Sequence, residues 1–75
     1  MRETTYTNYV KRNENFRRNV KLLLKAQGSS GNQLARDCGM SKEHVRSILN
    51  GVTGITLLTV TRFCDELMVT PEELF

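Results

Sequence analysis

The stretch from Gly31 to Gly51 constrains this 75-residue chain more than any other. Leu34, Ala35 and Cys38 recur at helical spacing, Gly39 breaks the run, and Val45, Ile48 and Leu49 form a second inward stripe. Ser30 stands three residues before Gln33, the spacing of a capping box, and Ser41 is a good N-cap for the second helix. Asn50-Gly51 ends it, with Gly51 suited to a left-handed cap. Two helices this short cannot bury their apolar stripes alone. Ala35 is small where they meet, Gly39 permits the turn, and Val45 and Ile48 pack the second helix back onto the first.

The flanks read as helices that complete a bundle. From Asn15, the residues Phe16, Val20, Leu23, Leu24 and Gln27 recur at steps of three and four, with Arg17, Arg18, Lys21 and Lys25 on the wet side. Gly28 is a natural stop, and Ser29-Ser30-Gly31 is a short break. After the loop Val52-Thr53-Gly54-Ile55, Thr56 caps a fourth helix with Leu57, Val60, Phe63, Cys64 and Leu67 inward. Thr59, Val60 and Thr61 lower its intrinsic propensity, which burial overrides. Thr70-Pro71-Glu72-Glu73 is a full helix start, followed by Leu74 and Phe75. No strand, repeat or low-complexity tract is visible. The fold expected is all-α: a compact five-helix domain over residues 15–75. A flexible, polar N-terminal arm over residues 1–14 precedes it, with Tyr6, Tyr9 and Val10 its only apolar anchors.

Composition excludes several function classes. The longest apolar run is Leu22-Leu23-Leu24, whereas a membrane span needs about 20 such residues. The polar start has no hydrophobic signal core, so nothing marks the chain for secretion and a cytoplasmic protein is expected. Cys38 and Cys64 then read as buried, reduced thiols. With His44 they make three candidate ligands, short of the four of a standard zinc site, so no metal and no cofactor is expected. His44 reads as a surface or phosphate-facing residue, and Glu72-Glu73 as capping acids. No enzyme constellation remains. The net charge of +3 is uneven. Up to Gly28 there are seven basic and two acidic residues, and beyond it four basic and six acidic. A basic front and an acidic back suit an oriented polyanion binder.

At Leu34-Ala35, Gly39-Met40-Ser41, Val45, Ile48, Asn50-Gly51 and the run from Phe63 to Leu74, the chain resembles the Cro/phage-repressor (lambda repressor-like) helix-turn-helix family. The resemblance spans about Phe16 to Phe75. It implies that the second helix of the motif lies in the DNA major groove. Base contacts would then fall to Ser41, Lys42, Glu43, Arg46, Ser47 and Asn50. Arg46 or Lys42 can donate to guanine O6 and N7, and Glu43 can accept from cytosine N4 or exclude a phosphate. Asn50 can pair with adenine, though its helix-end place suits a phosphate or capping role better. Ser30, Asn32 and Gln33 would meet phosphate at the preceding helix N-terminus. Thr53, Gly54 or Thr56 would meet the next phosphate, with Arg17, Arg18 and Lys21 adding longer-range attraction.

Three positions depart from the family pattern. Gln is usual where Gly31 stands, so that phosphate contact is lost or moves to Asn32 or Gln33. An apolar residue is frequent where Ser29 stands, so the turn there is looser. Leu24 and Leu49 occupy the sites of a frequent Arg–Glu pair between the first and third helices, and an apolar contact is expected instead. The resemblance implies a sequence-specific DNA-binding transcriptional regulator, a small repressor binding a pseudo-palindromic operator as a homodimer. Candidate dimer residues are Ile55, Leu58, Leu74 and Phe75. No membrane or small-molecule partner is expected. The alternative is an antitoxin-like or adaptor module that binds protein through the acidic fourth and fifth helices.

Overall fold

The computed structural model describes the backbone of residues 2–75 and the side chains of residues 12–75. Five helices follow in order: α1 (Arg2–Ala26), α2 (Gly31–Cys38), α3 (Lys42–Leu49), α4 (Leu57–Leu67) and α5 (Pro71–Leu74). None of the described helices is long and apolar enough to cross a membrane.

Helix boundaries are set by short polar side chains. The hydroxyls of Ser30, Ser41 and Thr56 accept from the amides of Gln33, His44 and Thr59 at 3.2, 3.1 and 3.2 Å. Each satisfies a first-turn donor that the helix leaves unpaired. Gly39 ends α2 at φ 70°, and its neighbour's amide, Met40 N, closes on Ala35 O at 2.9 Å. That left-handed step lets α3 turn back on α2.

The core holds Phe16, Val20, Val45, Ile48, Phe63 and Leu74 at its centre, all below 2% exposed. Burying a side chain of this size contributes about 1.5–3 kcal/mol. The Phe16 ring stacks on Phe63 with centroids 5.9 Å apart and meets Phe75 at 5.0 Å. Leu34, Ala35 and Cys38 of α2 and Leu49 of α3 are buried as the spacing predicts. Leu24 is buried in the same core, so both sites of the family's charge pair are filled by apolar packing.

The structure corrects five local expectations. The backbone of α1 is helical from Arg2, well ahead of Asn15. The segment holds no Gly or Pro, so the helix that carries Phe16 and Val20 can extend back through it. Tyr6, Tyr9 and Val10 lie outside the described side chains. Leu57 is 82% exposed because it sits in the first turn, at the margin of a stripe centred on Val60 and Phe63. Thr59 is buried instead, its hydroxyl 3.1 Å from that of Thr56. Gln27 is exposed, its amide nitrogen 3.4 Å from the Leu67 carbonyl oxygen. Leu74, a candidate dimer residue, is fully buried. Asn19 donates to its carbonyl oxygen at 2.7 Å, which holds α5 down on α1. Thr70 makes no side-chain cap. Its hydroxyl meets the Glu73 carboxylate at 3.4 Å, while Glu73 N bonds the Thr70 carbonyl oxygen at 3.0 Å.

Candidate nucleic-acid interface

The outer surface of α3 follows from what the helix buries. Val45, Ile48 and Leu49 face the core, and at about 100° per residue Glu43 and Ser47 fall on the opposite crest. Lys42 and Arg46 stand one step round toward α2, and His44 one step toward α4. Lys42, Glu43, His44, Arg46 and Asn50 are all exposed. Ser47 is half-buried, and its carbonyl oxygen accepts from the amides of Val52 and Thr53 at 2.9 and 3.2 Å. Those bonds fold the following loop against the end of α3.

On the α2 side lies a cleft of about 270 Å³. Lys21 of α1, Ser30 and Asn32 at the start of α2, and Lys42, Arg46 and Asn50 of α3 meet there. Among the described residues no carboxylate lines it. The first intrahelical bond of α2 is Leu34 N to Ser30 O, so the amides of Gly31 and Asn32 precede the ladder. Three cations and the positive end of a helix dipole thus converge on one opening, a site that favours an anion. Gly31 is part of the floor, and a Cβ there would meet Leu49 Cδ1 at an ordinary 3.6 Å. The space for a side chain is present even though glycine leaves it unused.

Other expected contact residues are engaged elsewhere. Gln33 donates to Asp37 Oδ1 at 2.9 Å and accepts from Arg36 at 3.4 Å, so its amide lies along α2. Of the two residues that can replace a side chain at position 31, Asn32 is the one in the cleft. Arg17 donates from Nε to the Ile48 carbonyl oxygen at 2.8 Å, which neutralises the negative end of α3. Thr53 is half-buried. Thr56 is exposed but serves both Thr59 groups, and it lines a second cleft of about 300 Å³ with Ser41, His44 and Arg62.

Residues 19–75 match the Cro/C1-type HTH DNA-binding domain family. The chain belongs to that family. In three dimensions this Cro/C1-type domain is similar to the restriction-modification controller protein C.AhdI from Aeromonas hydrophila. The TM-score is 0.77 and the sequences are 25% identical, over 84% of this chain and 96% of that one. No curated protein sequence matches the chain.

The helix-turn-helix of this Cro/C1-type domain is α2 and α3, which places the two clefts on either side of its second helix. Sequence reasoning missed Arg62. Its guanidinium donates to the Cys38 carbonyl oxygen at 2.9 Å and so closes the C-terminal end of α2 against α4. A lone cation on a helix of mixed polarity gives no signal for that role. Burial, and then the nearby Glu66, push the Cys38 thiol up to about 11, so it stays protonated at neutral pH. Among the described residues no three His, Cys, Asp or Glu side chains converge as a metal site requires.

Proposed function

We propose that this Cro/C1-type domain is a sequence-specific transcriptional regulator, a repressor in its simplest mode of action. In this reading it lays α3 in the major groove. The observation that carries it is the union of the α3 crest with the acid-free cleft at the start of α2. A phosphate seated on the Gly31 and Asn32 amides, Lys21 and Lys42 would fix the depth and register of α3. Glu43 and Ser47 would then face base edges beside Ser41, while Arg46 joins Lys42 on the phosphate in the cleft. Asn50, at the α3 end of the same cleft, would hold the backbone. Arg17, Gln33, Thr53 and Thr56 take secondary phosphate roles, since each already serves an internal contact. The similarity to C.AhdI, a restriction-modification controller protein, supports a regulator here.

One monomer of this size reads only a few base pairs, so binding as a homodimer to a pseudo-palindromic site supplies the missing specificity. Leu57 and Leu58, 82% and 61% exposed, with Ile55 and Phe75, offer the apolar surface for it. Selection from a random duplex library at two salt concentrations tests the whole proposal. An enriched two-fold-symmetric motif is expected. Salt-sensitive retention without a motif would overturn it and direct attention to protein partners of α4 and α5.

A further inference from the structure

A third opening, a groove of about 570 Å³, runs along the outer face of α1 to the end of α3. It gathers Arg17, Arg18, Lys21 and Lys25 around the apolar Leu22 and Leu49, with Glu14 the one acid among the described residues that line it. It shares Lys21, Leu49 and Asn50 with the cleft at the start of α2, so the two form one continuous basic trough.

We infer that this groove seats the sugar-phosphate backbone of DNA adjoining the sequence that α3 reads, so that α1 lengthens the footprint. The inference rests on the DNA-binding reading of α3 given above. Continuity favours DNA over an acidic protein segment, because a strand held at Lys21 in the cleft leads directly into the groove. Dimensions agree. From Arg18 to Lys25 a helix rises about 10 Å, which matches about three phosphate-to-phosphate steps along one strand. Three cations, Arg18, Lys21 and Lys25, stand along that length. Arg17 is held by Ile48 O, and Arg18 spends one amino group on Asn15 Oδ1 at 2.7 Å. Leu22 is 58% exposed between Lys21 and Lys25, where it can lie against deoxyribose while the lysine stems cover its flanks.

The test compares wild type with the double variant Arg18→Ala/Lys25→Ala. Two duplexes carry the selected motif, one ending flush with it and one extended by about ten base pairs, roughly one helical turn, on each side. Wild type should bind the extended duplex more tightly, and the variant should bind both alike. With a slope near −0.9 per phosphate, losing two contacts should shrink the affinity drop between about 50 and 200 mM salt by about twelvefold on the extended duplex. The preferred motif should not change. Equal wild-type affinity for both duplexes, or an unchanged salt slope in the variant, overturns the inference and leaves the groove to an acidic protein segment. If selection yields no motif, the sequence-specific reading fails. The groove is then scored separately by the same salt slope on mixed-sequence duplex.

Discussion

Arg17 reaches across from α1 and donates its Nε–H to the carbonyl oxygen of Ile48, 2.8 Å away in the last turn of α3. A Cβ on Gly51 would lie 3.7 Å from the same guanidinium carbon. A cation on a helix C-terminus thus ties α1 to α3, the two helices that also bury Leu24 and Leu49 in the common core. Arg17→Met keeps the stem and deletes the donor. It should cost about 1–2 kcal/mol in urea unfolding, the range for a partly exposed charged hydrogen bond. No loss of stability would mean that the apolar packing alone fixes α3.

Phe16 is the keystone of the aromatic cluster, and Phe75 is its outer leaf. Phe16→Ala should destabilise by about 3–5 kcal/mol, enough to unfold much of a domain this small. Phe75→Ala, at a position 39% exposed, should cost clearly less. Thermal unfolding of the two variants checks the order.

Glu43 and Arg46 should differ in kind when DNA binding is measured. Glu43→Ala should change which base is preferred at one position of each half-site. Arg46→Ala should weaken all sequences more evenly and lower the salt slope by about 0.9. Repeating the library selection with each variant separates base reading from phosphate holding. A shifted motif for Arg46→Ala and none for Glu43→Ala would reverse the assignment.

Met68 is the one non-glycine among the described residues with positive φ, at 60°, and it is 90% exposed. Its side chain contributes little packing while its Cβ crowds the left-handed backbone. Met68→Gly should therefore stabilise by about 0.5–1 kcal/mol, raising Tm by about 2–8 °C. A lower Tm would show that the methionine packs on something in solution.

Cys38 supplies a pH dependence. Its thiol is held above its ordinary range by burial, so folding favours the protonated form. The unfolded chain releases that proton first, so this contribution to stability is present at neutral pH. It is lost as pH rises from about 9 toward 11. Cys64 is shifted the same way, chiefly by burial. Urea midpoints for wild type should fall across that window, and those of Cys38→Ala should fall less. Alkylation of the native protein at neutral pH should be slow for both thiols.

Much of this molecule was legible because its instructions are local. A serine three residues ahead of an amide, or a glycine after an apolar stripe, marks a boundary whatever the rest of the chain does. Ser30, Gly39, Ser41 and Thr56 all act as read. The α3 face was legible as the complement of Val45, Ile48 and Leu49. What escaped depends on distant partners. Leu74 is buried because Asn19, far back in α1, holds its carbonyl. Leu57 carries the right residue type but sits at the edge of its stripe. Gln33 has the chemistry for phosphate, yet Asp37 one turn on competes for its amide. Arg17 looked like one more wet cation, and only the packing of α1 on α3 reveals its carbonyl partner.

The three hydroxyl caps on α2, α3 and α4 also bear on how quickly the chain reaches its fold. Each closes over only three residues, so the helix starts can form before any distant segment arrives. What remains is to dock these helices, each too short to persist alone, in a chain where long-range contacts are few. Helical domains of this low contact order fold in about microseconds to milliseconds. The bond from Asn19 to the Leu74 carbonyl oxygen spans the greatest sequence distance among these side-chain contacts, so the docking of α5 on α1 should come last.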